Sequence, residues 1–284
     1  MATLIKTGAL SKRYGDKAAI DGVSINIEPG SITGLIGPNG AGKTTFLRAL
    51  LGLNSCDGSL EVMGLDPRTQ RTELQERVCF IADTAVLPTW MKVDQVLGYV
   101  EGVHPRFSRE QAEDLLSRTE VKLDSRVKQL SKGMTVQLHL AIVMSIDAKL
   151  LILDEPTLGL DILFRKQFFE QLLNDYYDDE RTILISTHQV EEVENILTDA
   201  IFMRSGKVVL HESMEALSER FCEVHVVGGA VAQAMEHNPI SERSILGGKA
   251  MIFEDADRDA LQSLGQLNTP SISDLFIAKM SGEH

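Results

Sequence analysis

A glycine, four spacer residues and then Gly-Lys-Thr set a backbone rich in N–H groups ahead of one cation and one hydroxyl. Gly37 to Thr44 in LIGPNGAGKTTFL carries that order. Glycines let the chain wrap closely round phosphate oxygens, and a helix opening behind them adds its positive N-terminal end. The run SITGLIG before the motif has the apolar spacing of a strand. From Gly42 the spacing turns helical, with Phe46, Leu47, Leu50 and Leu51 on one face. A strand-to-helix junction is the context that a phosphate loop requires. Gly37, Pro38, Asn39, Gly40, Ala41, Gly42, Lys43, Thr44 and Thr45 are therefore the candidate phosphate-binding set. Lys43 would neutralise the outer phosphates, and the Thr44 hydroxyl would ligate Mg²⁺.

A second constellation lies downstream, where the apolar run Leu150–Leu153 ends in Asp154 and Glu155. Asp154 at the end of a strand can hold Mg²⁺ directly or through water. Glu155 points elsewhere, and beside a γ-phosphate its carboxylate can polarise the attacking water. Between the two motifs, Leu130-Ser131-Lys132-Gly133-Met134 opens a helix. A Ser-x-Gly helix start is an anion-binding shape, and Ser131 also suits a plain N-cap.

The elements that must position these groups follow from periodicity. Residues 3–35 alternate in short runs broken by Gly and Pro, which predicts β-strands joined by tight turns. Further strands are expected at Ser59–Met63 and Val78–Ile81. Residues 93–146 read as helical: Val93, Val96, Leu97 and Val100 share a face, Ser108 is placed as an N-cap with Gln111 three positions on, and Leu130–Ile146 forms a long amphipathic stretch. Strand and helix then alternate through LLILDE, a helix from about Ile162, TILIST, a helix through Val190–Ile196, and AIFMRSGKVVLHE as a hairpin turning at Ser205-Gly206. That alternation predicts an α/β fold, a mostly parallel sheet covered on both faces. Beyond Phe221 the turn-rich segments, the strands CEVHVV and KAMIFE, and the short helices Ala256–Leu264 and Ile272–Met280 suggest a small α+β appendage over 221–284.

Composition narrows the classes. There are 28 basic against 41 acidic side chains in 284 residues, a formal charge of −13, so no general nucleic-acid binding is expected. Cys56, Cys79 and Cys222 show no metal-ligand spacing, and a sparse odd count fits buried thiols in a reducing compartment. The run MATLIKTGALSKRYG has no apolar signal core, and no apolar run approaches the roughly 20 residues that cross a bilayer. A soluble protein is expected, with any membrane role supplied by a partner.

The ordered set GPNGAGKTT, LSKGM, LLILDEP, GLD and STH resembles the ABC ATPase family. The resemblance covers roughly residues 2–218 and implies a P-loop NTPase core, an antiparallel β subdomain and a helical insert at about 86–146. It also implies a role for each matching residue. Tyr14 in KRYGDKAAI would stack on adenine, though packing at a strand edge is the alternative. Ser131 and Gly133 would meet the γ-phosphate held by the opposite subunit, and Asp161 would communicate between two sites. His188 would reach the γ-phosphate and fix the geometry of Glu155 and water. Two positions depart from the pattern. Asp83 stands where the family has Gln, so that a shorter, charged group would meet Mg²⁺ or water. Lys132 and Met134 replace Gly and Gln in the signature, and Lys132 either adds charge near the phosphates or lies in solvent.

By the same resemblance the chain is an ATPase using ATP and Mg²⁺, paired with a second ATPase subunit as a homodimer or with a related chain. A multi-span permease would hold it at the cytoplasmic face of the membrane. Trp90 and Met91, in Val86–Val100, lie where such a permease docks in the family, unless Trp90 packs the insert's own core. The segment PSISDLFIAKM resembles the C-terminal segment of bacterial ABC-2 type exporter ATPases, which favours export. An importer ATPase served by a binding protein, and a soluble ABC ATPase acting on nucleic acid or ribosomes, are the alternatives.

Overall fold

The structure, a computed structural model, describes residues 3–82, 87–160, 162–178 and 180–281. The chain opens with strands β1 (Ile5–Tyr14), β2 (Lys17–Val23), β3 (Asn26–Ile27) and β4 (Ile32–Ile36), and β4 runs through the glycine loop into helix α1 (Lys43–Leu50). Then come β5 (Asp57–Val62), α2 (Arg71–Gln75), β6 (Val78–Ile81), and the helices α3 (Val93–Val103), α4 (Arg109–Ser117) and α5 (Lys132–Met144). Strand β7 (Leu150–Asp154), helix α6 (Ile162–Gln171), and strands β8 (Thr182–Thr187), β9 (Asp199–Arg204) and β10 (Lys207–Ser213) follow. The C-terminal part comprises α7 (Met214–Arg220), β11 (Phe221–Val227), α8 (Ala230–Met235), β12 (Ser241–Ile245), β13 (Gly248–Glu254), α9 (Arg258–Gln262), β14 (Gln266–Asn268) and α10 (Ile272–Ser281).

The central sheet has the order β10-β9-β4-β8-β7-β6, parallel except for the β9–β10 hairpin. Its inner strands are buried on both faces, and alternate side chains enter different cores. Ile32, Ile36, Leu151, Leu153, Ile183 and Ile185 enter a core shared with α3 to α6 and α10. Leu35, Leu150, Ile152 and Leu184 face α1 and the antiparallel sheet of β1, β2, β3 and β5. Such double burial is what near-continuous apolar strands require. The hairpin turns where expected, with Ser205 and Gly206 both left-handed at φ 49° and 83°, the signature of a type I′ turn.

Two helical expectations need correction. Val190–Ile196 is not an α-helix but two short 3₁₀ turns, Val190–Glu192 and Glu194–Ile196, held by i→i+3 bonds such as Val193 N–H to the Val190 carbonyl. Four of the seven residues are Val or Glu committed to tertiary contacts, which override the local helical spacing. The stretch Leu130–Ile146 is helical only over Lys132–Met144, and it is not amphipathic. From Leu140 to Met144 every side chain is buried, because that half of α5 runs between the sheet and the other insert helices. Helix α6 ends in a π turn over Leu172–Tyr176, closed by the Tyr177 N–H on the Leu172 carbonyl at 2.9 Å.

Residues 221–268 form a third sheet, β12-β13-β11-β14, whose small core gathers Cys222, Val224, Val226, Met251 and Phe253 beneath Ala234 and Leu261. Helix α10 turns away from that sheet and packs on the core of the central sheet through Ile272 and Leu275, with Phe276 edge-on to Phe202 at 5.3 Å. The thiols of Cys79 and Cys222 are buried and that of Cys56 half-buried, none in a disulfide. Burial pushes the Cys79 thiol up to about 12.

If α10 is part of the central core, Leu275→Ala should remove about 2–5 kcal/mol from urea-unfolding stability, the range for a buried leucine. A loss under about 1 kcal/mol would mean that α10 contributes little to that core.

Candidate nucleotide site

Strand β4 is one of the two central strands of the sheet, and its end delivers Gly37 against two neighbours. The Gly37 N–H donates to the Thr187 carbonyl at 3.2 Å, and a Cβ on Gly37 would stand 2.6 Å from the Met203 carbonyl oxygen. Gly42 has φ 107°, and a Cβ there would meet the Ala19 carbonyl oxygen at 2.2 Å. The loop can therefore curl only with glycine at these points. The β9–β10 turn supports it from outside, through the Gly206 N–H on the Ala41 carbonyl at 2.9 Å.

Lys43, the first residue of α1, is 6% exposed. Its ammonium donates to the Gly37 carbonyl at 2.6 Å and pairs with Glu155 Oε1 at 3.0 Å. Glu155 leaves β7 with a left-handed backbone, φ 50°, and its N–H donates to the carbonyl and hydroxyl of Ser186 on the adjacent strand β8, at 3.1 and 3.2 Å. The other carboxylate oxygen, Oε2, lies 2.8 Å from His188 Nδ1. One residue earlier, Asp154 is buried at the end of β7, and its Oδ1 accepts from the Ser186 hydroxyl at 2.5 Å. Ser186 thus holds both carboxylate positions at once. It is the serine of the STH motif, a signal the sequence offered without a role attached.

These groups surround one cavity of about 510 Å³ lined by Tyr14, Lys17, Ala19, Pro38 to Thr45, Glu155, Leu158 and His188. Tyr14 stands on its rim, 53% exposed, with the Lys12 ammonium 5.2 Å from the ring centre. Lys17, Ala19 and Leu158 join the lining without any motif to announce them. The cavity combines a cation, a ring of backbone N–H groups and an orienting carboxylate–imidazole pair, the inventory for polyphosphate binding and water activation.

Ser131 and Gly133 do not line that cavity. Ser131 caps α5, its hydroxyl accepting the Met134 N–H at 3.2 Å. Gly133 is buried beneath Phe164, whose ring a Cβ would meet at 2.4 Å. Their neighbours Leu130, Lys132 and Thr135 line a second cavity of about 300 Å³ on the other side of Glu155, with Pro156 and Gly159 opposite. Trp90 is 67% exposed, whereas Met91 packs against the insert's core, so the pair divides between surface and interior. Asp83 and Asp161 lie outside the described residues.

The ABC transporter family model matches residues 20–158. A Nod factor export ATP-binding protein I of Paraburkholderia xenovorans is 34% identical over 87% of this chain and 84% of its own length. The chain belongs to the ABC transporter ATP-binding family. A Rhizobium protein of the same description is 31% identical over 96% of this chain and 95% of its own. Among solved structures, one described as the ATP binding subunit of an ABC transporter superposes with a TM-score of 0.68 at 25% identity, covering 76% of this chain and 92% of the other. CbiO1 of Clostridium perfringens, described as part of the ABC transporter complex cbiONQ, gives 0.65 at 25% identity, covering 76% and 91%. The P-loop NTPase fold and ATP hydrolysis within a transporter follow for this ABC subunit. No helix among the described residues is long and apolar enough to cross a membrane.

In this ABC ATPase His139 lines the second cavity, and its buried Nε2 has no hydrogen-bond partner among the described residues. Burial holds its pKa down at about 4. Desolvation lowers His104 and His211 as well, His104 with help from Arg106. A histidine that stays neutral when folded but protonates near its usual 6.5 when unfolded costs nothing above that pH and destabilises progressively as pH falls toward 4. His139→Leu should therefore remove about 1 kcal/mol of the stability difference between pH 7.5 and 5.5. Equal acid sensitivity in both proteins by urea unfolding would contradict a buried neutral His139.

Proposed function

We propose that this subunit pairs head to tail with a second copy, or with a closely related chain, round two ATP molecules. Hydrolysis in that pair would drive a separate multi-span permease in the export direction. The observation that carries the reading is the continuous contact from Lys43 through Glu155 to His188 on one cavity, with Ser131 and Gly133 of the same chain outside it. A helix start of anion-binding shape that does not reach its own phosphate loop is useful to a neighbour's. The export names of the relatives support the direction, and the cbiONQ description of a structural neighbour supports a permease partner. An excess of acidic side chains supports the absence of nucleic acid among the partners. Binding would be peripheral, on the cytoplasmic face.

Within the site each role follows from position. Within Gly37 to Thr45, Asn39, Gly40 and Gly42 to Thr45 present N–H groups to the phosphates on a loop shaped by Gly37, Pro38 and Ala41, and the rim ring of Tyr14 offers a face to adenine. Lys43 now shares its charge between the Gly37 carbonyl and Glu155. An arriving γ-phosphate competes for that ammonium and releases Glu155 Oε1 to accept a proton from the attacking water, while His188 keeps Oε2 in place. Hard-oxygen donors fit Mg²⁺: the Thr44 hydroxyl lines the cavity and the buried Asp154 carboxylate is oriented by Ser186. When bound, Mg²⁺ would neutralise charge on the outer phosphates.

Glu155→Gln should lower ATP turnover about 100-fold or more while leaving ATP binding and ATP-dependent pairing intact by gel filtration. Undiminished turnover would refute the assigned base, and an ATP-loaded variant that stays monomeric beside its permease would refute the pairing. Lys43→Ala should instead abolish ATP binding, read by equilibrium titration with a fluorescent ATP analogue.

A further inference from the structure

Three stretches of chain meet behind Glu155, and one ion pair ties them together. Glu192, on the 3₁₀ turn four residues past His188, accepts the Thr157 hydroxyl on Oε2 at 2.7 Å. Its Oε1 takes the Arg165 guanidinium, with side chains only 24% and 15% exposed for Arg165 and Glu192. Arg165, reaching back from α6, also donates to the Gln189 side-chain oxygen at 2.8 Å and to the Leu160 carbonyl at 2.7 Å. The pair thereby joins the turn after Glu155, the turn ending at Leu160 and the segment that carries His188.

We infer that Arg165 and Glu192 are positioning residues for ATP hydrolysis, acting through Glu155 and His188 rather than on the nucleotide. Neither lines the phosphate-loop cavity. Each lies close along the chain to groups that do, so the pair sets where Glu155 and His188 stand relative to each other. Glu155 is especially dependent on such support. It occupies a left-handed backbone, and two of its backbone and side-chain contacts, Ser186 and His188, come from β8 and the turn beyond it. A half-buried, multiply hydrogen-bonded Arg–carboxylate pair is geometrically specific in a way that an exposed ion pair is not. Displacing a general base by about 1 Å can cost on the order of 100-fold in rate.

The test uses the full chain, with steady-state ATP turnover and equilibrium binding of a fluorescent ATP analogue measured on the same preparations. Glu192→Gln keeps the shape and removes the charge. It should lower kcat by about tenfold to 100-fold with the nucleotide Kd within about twofold of the parent. Arg165→Lys, which keeps the charge but loses the fork, should show the same split and decides the matter where Glu192→Gln does not fold. In a Glu155→Gln background, Glu192→Gln should change residual turnover by less than about twofold, because the pair has no base left to position. Arg220→Gln, which breaks the distant Arg220–Glu254 pair at 2.6 Å, should leave kcat unchanged. Turnover near the parental value in Glu192→Gln, a parallel loss of nucleotide affinity, or a full further loss in the Glu155→Gln background would each overturn the inference.

Discussion

An ammonium group held away from water needs acceptors close by, and Lys43 finds them on the ends of two different strands. Its partners are the carbonyl that ends β4, at Gly37, and the carboxylate that follows β7, on Glu155. An unpaired charge at that depth would cost several kcal/mol. β8 lies between those two strands, and it and the turn beyond it supply what Glu155 needs: Ser186 for its N–H and His188 for its second oxygen. The parallel order β4-β8-β7 is thus the arrangement in which a buried lysine, a carboxylate and an imidazole can all be satisfied together. The same order leaves their polar ends at one edge of the sheet, where ligands of open α/β sheets bind.

Holding the strand ends together also requires that the loops beyond them do not drift. The glycine loop is braced by the Gly206 N–H on the Ala41 carbonyl, which makes the antiparallel hairpin part of the site's scaffold rather than an edge decoration. The hairpin braces the glycine loop through a backbone contact, whereas Thr157, Arg165 and Glu192 brace the loops beyond β7 and β8 through side chains. The difference suits a site in which one half wraps a constant polyphosphate and the other half must re-form around a changing γ-position.

The glycine-loop side was also the legible side. Glycine spacing, the Lys and Thr that follow and the apolar run into Asp154–Glu155 each encode a backbone shape or a strand end, and such features survive translation into a linear pattern. The Ser205-Gly206 turn was readable for the same reason. The helix expected over Val190–Ile196 failed because apolar periodicity describes which residues are buried, not which backbone buries them. Val190 and Val193 do enter the core, but on 3₁₀ turns pinned by tertiary contacts. The supposed amphipathic face of α5 failed for the complementary reason: once a helix is enclosed, polar spacing no longer marks a solvent side. Thr157, Arg165 and Glu192 were illegible because polar residues on a helix or turn read as surface until a third segment is brought over them.

One consequence of those turns reaches the far end of the chain. Had residues 190–196 continued as a regular helix, their acidic groups would have rotated by about 100° per residue, the helical period, and faced different partners. In the structure His188 meets Glu155, Gln189 and Glu192 meet Arg165, and Glu194 Oε1 accepts the Ile272 N–H at 2.8 Å, satisfying one of the donors left open at the start of α10. Seven residues therefore run as a strap from the carboxylate beside Lys43 to the helix that carries the C-terminal sheet back onto the core. The short 3₁₀ turns that defeated the helical reading are what let a single segment hold both ends.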